Sequence, residues 1–347
     1  MRAAAICAAI VAALSPLTTT AAADVPLVLR QPAQTTPRAL AAATLAVARA
    51  GSRLVAVGER GTVLCSDDGG KSWRQASVPV EVTLTNVRFA NDHTGWAVGH
   101  LGVILKTDDG GLTWVKQLDG VQLAEVVRTA AGSDDAARRD AEHLAQDGPD
   151  KPFFDIEVLD PQYVVVVGAY GLAFATHDGG LHWSPLPVAA ANPKRFHLYG
   201  VRVVGHEWFI VGEQGMALRS SDDGATFSVM ALPYKGSLFG LVAADSGTLV
   251  AYGLRGNAWR SADRGQTWNR VDLDTQVSFE AGLTSPKGGL VLLGQTGDLY
   301  VSQDDGRTFA RTPTPAGALP AAGLSVAPDG AWIFASLRGT RRVAAAH

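Results

Sequence analysis

The chain has 347 residues, 38 of them glycine, with 47% hydrophobic and 18% charged residues and a formal net charge of −3. So even a charge balance leaves no electrostatic footprint for nucleic acid or an anionic membrane surface. The length admits one large domain or two ordinary ones, and abundant glycine with little helix-favouring sequence points to short strands punctuated by turns.

The chain opens with Arg2, an apolar stretch from Ala3 to Leu14, and the small residues Ala21, Ala22 and Ala23. That order reads as a secretory signal peptide over residues 1–23, cleaved before Asp24. Its apolar run is shorter than the roughly 20 residues a membrane span needs, so export without a direct membrane span is expected. Cleavage would remove Cys7 and leave Cys65 alone, which excludes an internal disulfide. Cys65 lies in a strand pattern and is expected to be a small buried hydrophobe.

From residue 24 to 347 one unit recurs. The pattern Ser/Thr-x-Asp-x-Gly-x-x-aromatic occurs at Ser66–Trp73, Thr107–Trp114, Thr176–Trp183, Ser220–Phe227, Ser261–Trp268 and Ser302–Phe309. Its aspartates are Asp68, Asp109, Asp178, Asp222, Asp263 and Asp304, at intervals of 41, 69, 44, 41 and 41 residues. Before each copy stands a short apolar run ending in Gly-x-x-Gly: Gly58/Gly61, Gly99/Gly102, Gly168/Gly171, Gly212/Gly215, Gly253/Gly256 and Gly294/Gly297. A seventh, degenerate turn is Ser336-Leu337-Arg338-Gly339.

Each unit reads as four short strands; in the second these are Leu84–Phe89, Gly95–Val98, Val103–Thr107 and Thr113–Gln117. The glycine turn is a tight hairpin. The Asp motif is another, in which Asp and Ser/Thr side chains bond nearby backbone groups. Four strands in about 40 residues, repeated around a ring, predict an all-β, seven-bladed β-propeller. The seventh unit lacks a fourth strand, and either Val25–Leu29 or the segment after Arg38 is expected to supply it. The long interval holds an insertion at about 120–152, with one short helix from Asp134 to about Gln146, capped by Ser133 and stopped by Gly148-Pro149.

The Asp motif resembles the Asp-box, or BNR repeat, of sialidases, other glycoside hydrolases, sortilin-type receptors and photosystem II assembly factors. Gly-x-x-Gly, a strand and then Ser/Thr-x-Asp-x-Gly-x-Thr-Trp at near-constant spacing is more specific. It is similar to the photosystem II stability/assembly factor family and its bacterial relatives, over about Leu45 to Val343. The segments Gly148–Pro152, Pro233–Gly240 and Tyr252–Asn257 resemble that group as well. The resemblance implies a non-enzymatic chaperone for a newly made reaction-centre subunit, with an arginine patch on one face. It places the protein in the periplasm, or in the thylakoid lumen of a photosynthetic source. In other bacteria a further alternative is an accessory subunit of an envelope transporter.

Catalysis has less support. A sialidase needs an arginine triad, a Tyr–Glu pair and an acid/base Asp, and no Arg-Ile-Pro segment is present. The Asp-box aspartates each belong to a separate blade rim and are committed to turn geometry. An Asp-box glycoside hydrolase or carbohydrate-binding propeller remains the alternative, since other carboxylates can converge only through the fold. The eight histidines show no metal-ligand spacing, and a turn between strands offers no helix N-terminus for phosphate. Neither cofactor nor metal is expected.

The glycine turns and the links between blades are expected to share one face, opposite the Asp-boxes. Candidate partner-binding residues on that face are Arg60, His100, Tyr170, Gln214, Arg255 and Arg338 from the turns, with Arg195, His197, Tyr199, Tyr234 and Lys235 from the links. Arginine and tyrosine suit recognition of carboxylates and peptide planes. The expected partner is an exported segment of a membrane-protein complex, bound by a monomer.

Overall fold

The computed structural model describes residues 25–285, 288–314 and 319–344. The expected leader, residues 1–23, lies outside them. Seven antiparallel sheets follow in chain order, six of four strands and a last of three. The first strand of each sheet is innermost: Thr44–Ala50, Leu84–Phe89, Phe153–Val158, Leu198–Val204, Leu238–Ala243, Phe279–Thr284 and Ala321–Val326 in blades 1 to 7. Each inner strand packs beside the next, and the seventh returns to the first, so the chain closes into a seven-bladed propeller.

Burial explains why the sequence folds this way. The second strand of a blade is covered on both faces by neighbouring blades. It therefore reads as an unbroken apolar run rather than an alternation: Leu290–Gly294 and Val164–Gly168 are buried throughout. The apolar core is divided into seven clusters, one in each gap between adjacent blades. The closing aromatic of each Asp motif enters the gap toward the preceding blade. Trp114 packs with Val55 and Val57 of blade 1, and Trp73 with Ile333 and Ala335 of blade 7. Burying such a side chain contributes roughly 1.5–3 kcal/mol.

The Asp motif is a hydrogen-bonded knot. Asp263 Oδ1 accepts from the Ser261 hydroxyl at 2.8 Å and the Thr267 N–H at 2.8 Å, and its Oδ2 accepts from the Thr267 hydroxyl at 2.5 Å. The Ser261 hydroxyl in turn accepts the Gly265 N–H at 2.7 Å. Asp68, Asp109, Asp178, Asp222 and Asp304 repeat the core of the pattern. Cys65 is buried, its Sγ donates to Gly111 O at 3.2 Å, and burial pushes its thiol up to about 11.

Two expectations need correction. Neither N-terminal candidate completes blade 7: Leu27–Leu29 and Pro37–Ala41 are 3-10 turns, and Thr44–Ala50 is the inner strand of blade 1. Pro26, Pro32 and Pro37 remove the N–H groups that a ladder requires. The segment straps the gap between blades 1 and 2 instead, with Leu29 buried there and Ala33 N–H bonded to Val78 O at 3.0 Å. Among the described residues blade 7 has three strands. Second, the insertion holds two helices, α1 (Gly120–Ala130) and α2 (Asp135–Asp147). Sequence reading found α2 and overlooked α1, whose N-cap is Asp119, accepting from Val121 and Gln122 N–H at 3.1 Å. No helix among the described residues is long and apolar enough to cross a membrane.

Candidate binding face and channel mouth

Inner strands run from the glycine-turn face toward the Asp-box face. Thr44, at the start of its strand, pairs with Gly58, whereas Ala50, at its end, pairs with Arg53. The links between blades bond to the glycine turns: Glu59 N–H to Ala43 O at 3.0 Å, Gly61 N–H to Val82 O at 2.8 Å and His100 N–H to Thr83 O at 2.9 Å. Turns and links thus share one face and the Asp motifs occupy the other.

The turns are tighter than simple two-residue hairpins. The first glycine is extended, and a Cβ there would strike the incoming link, at 2.0 Å from Ala43 O for Gly58. In blades 1 to 5 the residue before the second glycine is left-handed although it is not glycine. These residues are Arg60, Leu101, Tyr170, Gln214 and Arg255, with φ of 52° to 54°. Such a conformation costs an L-residue about 1–2 kcal/mol, and strained positions gather at functional sites. Four of the five are residues the sequence nominated; in the remaining turn, that of blade 2, the nominated residue was the preceding His100.

The structure distinguishes among the candidates. Arg60 donates to Glu81 Oε1 from Nε at 3.1 Å and Nη2 at 2.9 Å. Arg195 pairs with Asp140 of α2 at 2.6 Å. Arg255 and Arg338 are exposed, and their guanidinium groups have no ion pair among the described residues. Tyr234 donates its hydroxyl to Leu254 O at 3.3 Å, beside Arg255. Burial raises its pKa, and the charges of Arg255 and Arg270 oppose that. His100, Gln214 and Lys235 stand exposed on the same face. No hydrogen bond, ion pair or ring contact among the described residues joins Arg60, His100, Gln214, Lys235 or Arg338 to one another.

Tyr170 and Tyr199 are brought together with His197 of the same link, and with Lys151, Phe154 and Phe239, which were not nominated as binding residues. The Tyr170 ring lies 4.9 Å from His197, whose Nδ1 accepts the Tyr170 N–H at 2.8 Å, and Lys151 Nζ sits 5.8 Å over it. Rings continue inward from His197 to Phe154 (6.2 Å), from Phe154 to Tyr199 (5.2 Å) and from Tyr199 to Phe239 (5.7 Å). This aromatic arc crosses blades 3, 4 and 5 from the rim to the central channel.

One device places the inner part of the arc. Every inner strand carries a β-bulge at its second residue, and a bulge re-aims a side chain. The bulged residues are Leu45, Thr85, Phe154, Tyr199, Phe239, Glu280 and Ala322, and all seven line one channel cavity of about 380 Å³. Deeper in the channel lies a charged cluster. Asp155 accepts from Arg202 Nη1 at 2.7 Å, Asn86 Nδ2 at 2.7 Å and Val201 N–H at 3.0 Å. Glu157 lies 3.6 Å from both Arg88 and Arg202. Burial opposes the charge on Arg202, but Asp155 and Glu157 hold its pKa above the ordinary value.

Phe154, Phe239, Glu280, Arg88, Asp155, Glu157 and Arg202 escaped the sequence reading. The missing signal was register: each bulged residue stands thirteen or fourteen positions before the residue that opens its own turn. Among the described residues no group of three or more His, Cys, Asp or Glu is arranged to hold a metal. His182 Nδ1 meets Asp178 at 2.7 Å and His177 stacks on Tyr163 at 4.1 Å, so both serve the Asp-box face.

Fold and site define a seven-bladed Asp-box propeller with an arginine-bearing turn face opening on an aromatic channel mouth. The chain belongs to the family of the photosynthesis system II assembly factor YCF48, whose sequence profile matches residues 71–130 and 142–306. A photosystem II assembly lipoprotein Ycf48 from Synechococcus sp. (strain CC9902) is 27% identical over 103 residues, a match covering 28% of this chain and only 31% of that relative. Solved structures that share the fold include two YCF48 proteins. A YCF48 bound to a D1 peptide superposes with a TM-score of 0.65 at 17% identity, over 91% of this chain and 97% of that one. YCF48 from Cyanidioschyzon merolae gives a TM-score of 0.63 at 16% identity, over 89% and 97%.

Proposed function

We propose that this protein is an exported, non-enzymatic assembly factor that recognises a segment of a membrane-protein complex through its glycine-turn face. The observation that carries the reading is the convergence of seven bulged side chains on one channel mouth, on the face where strained Arg60, Tyr170, Gln214 and Arg255 stand. A rigid ring presenting variable loops is a common basis for binding, and arginine with tyrosine is the usual chemistry of a binding hot spot. Family membership supports an assembly role, and a relative has been seen with a bound peptide. The leader expected over residues 1–23 supports export.

The alternative of glycoside hydrolysis draws on the carboxylates of the channel. Asp155 and Glu157 are engaged by Arg202 and Arg88, which disfavours the freely facing pair such chemistry needs. Service beside an envelope transporter differs from the leading reading only in the partner.

Affinity capture from intact envelopes tests the proposal, comparing wild type with the Arg60→Glu/Arg255→Glu/Arg338→Glu triple variant. Recovery of a specific membrane-complex subunit by wild type, and its loss from the variant, is expected. Equal recovery by both would overturn the role of this face, and hydrolysis of a glycan panel by purified protein would favour the enzyme.

A further inference from the structure

We infer that the channel mouth is a site for an organic cation, a lysine or arginine side chain or another amine, held between Glu280 and the aromatic arc of Phe154, Tyr199 and Phe239. These are the bulged residues of four consecutive blades, 3 to 6, and they line the same 380 Å³ cavity. The inference rests on the proposed partner-binding role only for the origin of the cation, which a bound segment would supply.

Charge balance is the first argument. In the channel cluster the two arginines, Arg88 and Arg202, are matched by the two carboxylates Asp155 and Glu157; a third arginine lining the cavity, Arg49, stands exposed near the Asp-box end of its strand, four residues past bulged Leu45, and donates to Gly51 O at 2.9 Å. Glu280 is left over: it has no hydrogen bond or ion pair among the described residues. The bulged residues beside it are Phe239 and Ala322, which offer none. Burial alone pushes its carboxyl above the ordinary value, with no cation to offset the effect. A carboxylate half-withdrawn from water without a partner is costly, and an incoming cation removes that cost.

Tyr252 supplies a second, independent observation. It is 3% exposed, its hydroxyl makes no hydrogen bond among the described residues, and it lines the cavity. It reaches the channel from the second strand of blade 5 because two inner strands carry glycine beside it. A Cβ at Gly240 would lie 2.4 Å from the Tyr252 hydroxyl oxygen, and one at Gly282 would lie 2.8 Å from its ring. The hydroxyl is thus an unused acceptor for an ammonium or guanidinium N–H, in a channel where the Arg202–Asp155 pair, Arg88 and Glu280 all act on it.

The aromatic wall fixes the class of ligand. Ring faces attract cations through their quadrupole, and aromatic cages are an established way to hold organic cations. A divalent metal would want several oxygen ligands, whereas one free carboxylate and three rings suit an organic cation. Arg88 and Arg202 lie deeper and would repel a cation there, but their own carboxylates neutralise them and leave the mouth to Glu280.

Ligand-observed saturation-transfer NMR on the purified chain tests the site. The probes are tetramethylammonium and N-acetyl-lysine amide, with N-acetyl-norleucine amide as the uncharged comparison. Wild type is expected to bind both cations and not the norleucine amide. Glu280→Gln should weaken them at least roughly tenfold, the effect of removing a close charge partner in a partly dry site. Phe239→Leu, which keeps an apolar side chain but no ring, should weaken tetramethylammonium as well. No transfer to wild type, equal binding by Glu280→Gln, or equal binding of the norleucine amide would overturn the inference. Partner capture reads the turn arginines and this experiment reads Glu280, so each can fail without the other.

Discussion

The Thr44 hydroxyl of blade 1 accepts the backbone N–H of Ser336 in blade 7 at 3.0 Å, joining residues 292 apart in the chain. Both residues are buried. Among the described residues blade 7 has three strands, and this bond and the apolar cluster around Val47, Leu54 and Ile333 close the ring. Thr44→Val keeps the shape and removes the acceptor. It should destabilise the protein by about 1–3 kcal/mol, the cost of an unsatisfied buried donor, read as a lower denaturant midpoint with unchanged slope.

Arg202 is the keystone of the channel cluster. Arg202→Ala leaves Asp155 and Glu157 withdrawn from water without their main cation, and should cost roughly 3–5 kcal/mol. Chemical denaturation of the two proteins at neutral pH measures it. A change below about 1 kcal/mol, within the usual range of an exposed pair, would contradict the cluster as described.

The left-handed turns set binding against stability. Arg255→Gly and Gln214→Gly relieve a φ of 54° and 52°, and each should raise stability by up to about 1 kcal/mol, strain relief less the entropy of glycine. Arg255→Gly should at the same time weaken partner capture. A variant that loses stability would show that the side chain, rather than the backbone shape, supports the turn.

Acid stability follows from the Asp motifs. Hydrogen bonds hold Asp178, Asp263 and Asp304 at about 2: first from the His182 N–H for Asp178, and from the hydroxyls of Thr267 and Thr308 for the others. An unfolded Asp titrates near 3.9. A depressed carboxyl contributes stability that is fully present above that value and is lost as pH falls toward about 2. Glu280 acts oppositely: its raised pKa removes stability as pH rises above the ordinary Glu range. Thermal midpoints should therefore fall steeply between about pH 4 and 2, and Glu280→Gln should raise them near neutrality without altering the acid limb.

Much of this architecture was legible because its causes are local. Glycine at Gly58 and Gly61 and the Ser66–Asp68 pair are required by turn geometry, so seven units could be counted before any contact was known. The face bearing Arg60, Arg255 and Arg338 followed from chain direction. The channel mouth was not legible in the same way. Phe154 and Glu280 have no local motif, and a bulge, invisible as composition, aims them inward. Helix α1 was obscured because Val121, Val126 and Val127 read as strand formers, while its Asp119 cap follows a strand without a break. The fourth strand sought for blade 7 was a demand of symmetry, which the prolines at Pro26, Pro32 and Pro37 overrule.

The central claim, that the glycine-turn face is the working face, is tested most directly by site-specific photo-crosslinking in intact cells. A crosslinker is placed at Tyr170, exposed on that face, or at Leu181, exposed on the Asp-box face. The account predicts adducts from position 170 that contain an exported segment of a membrane-protein complex, lost on Arg255→Glu, and none from position 181. Adducts to such a partner from 181 alone, or equally from both, would contradict it.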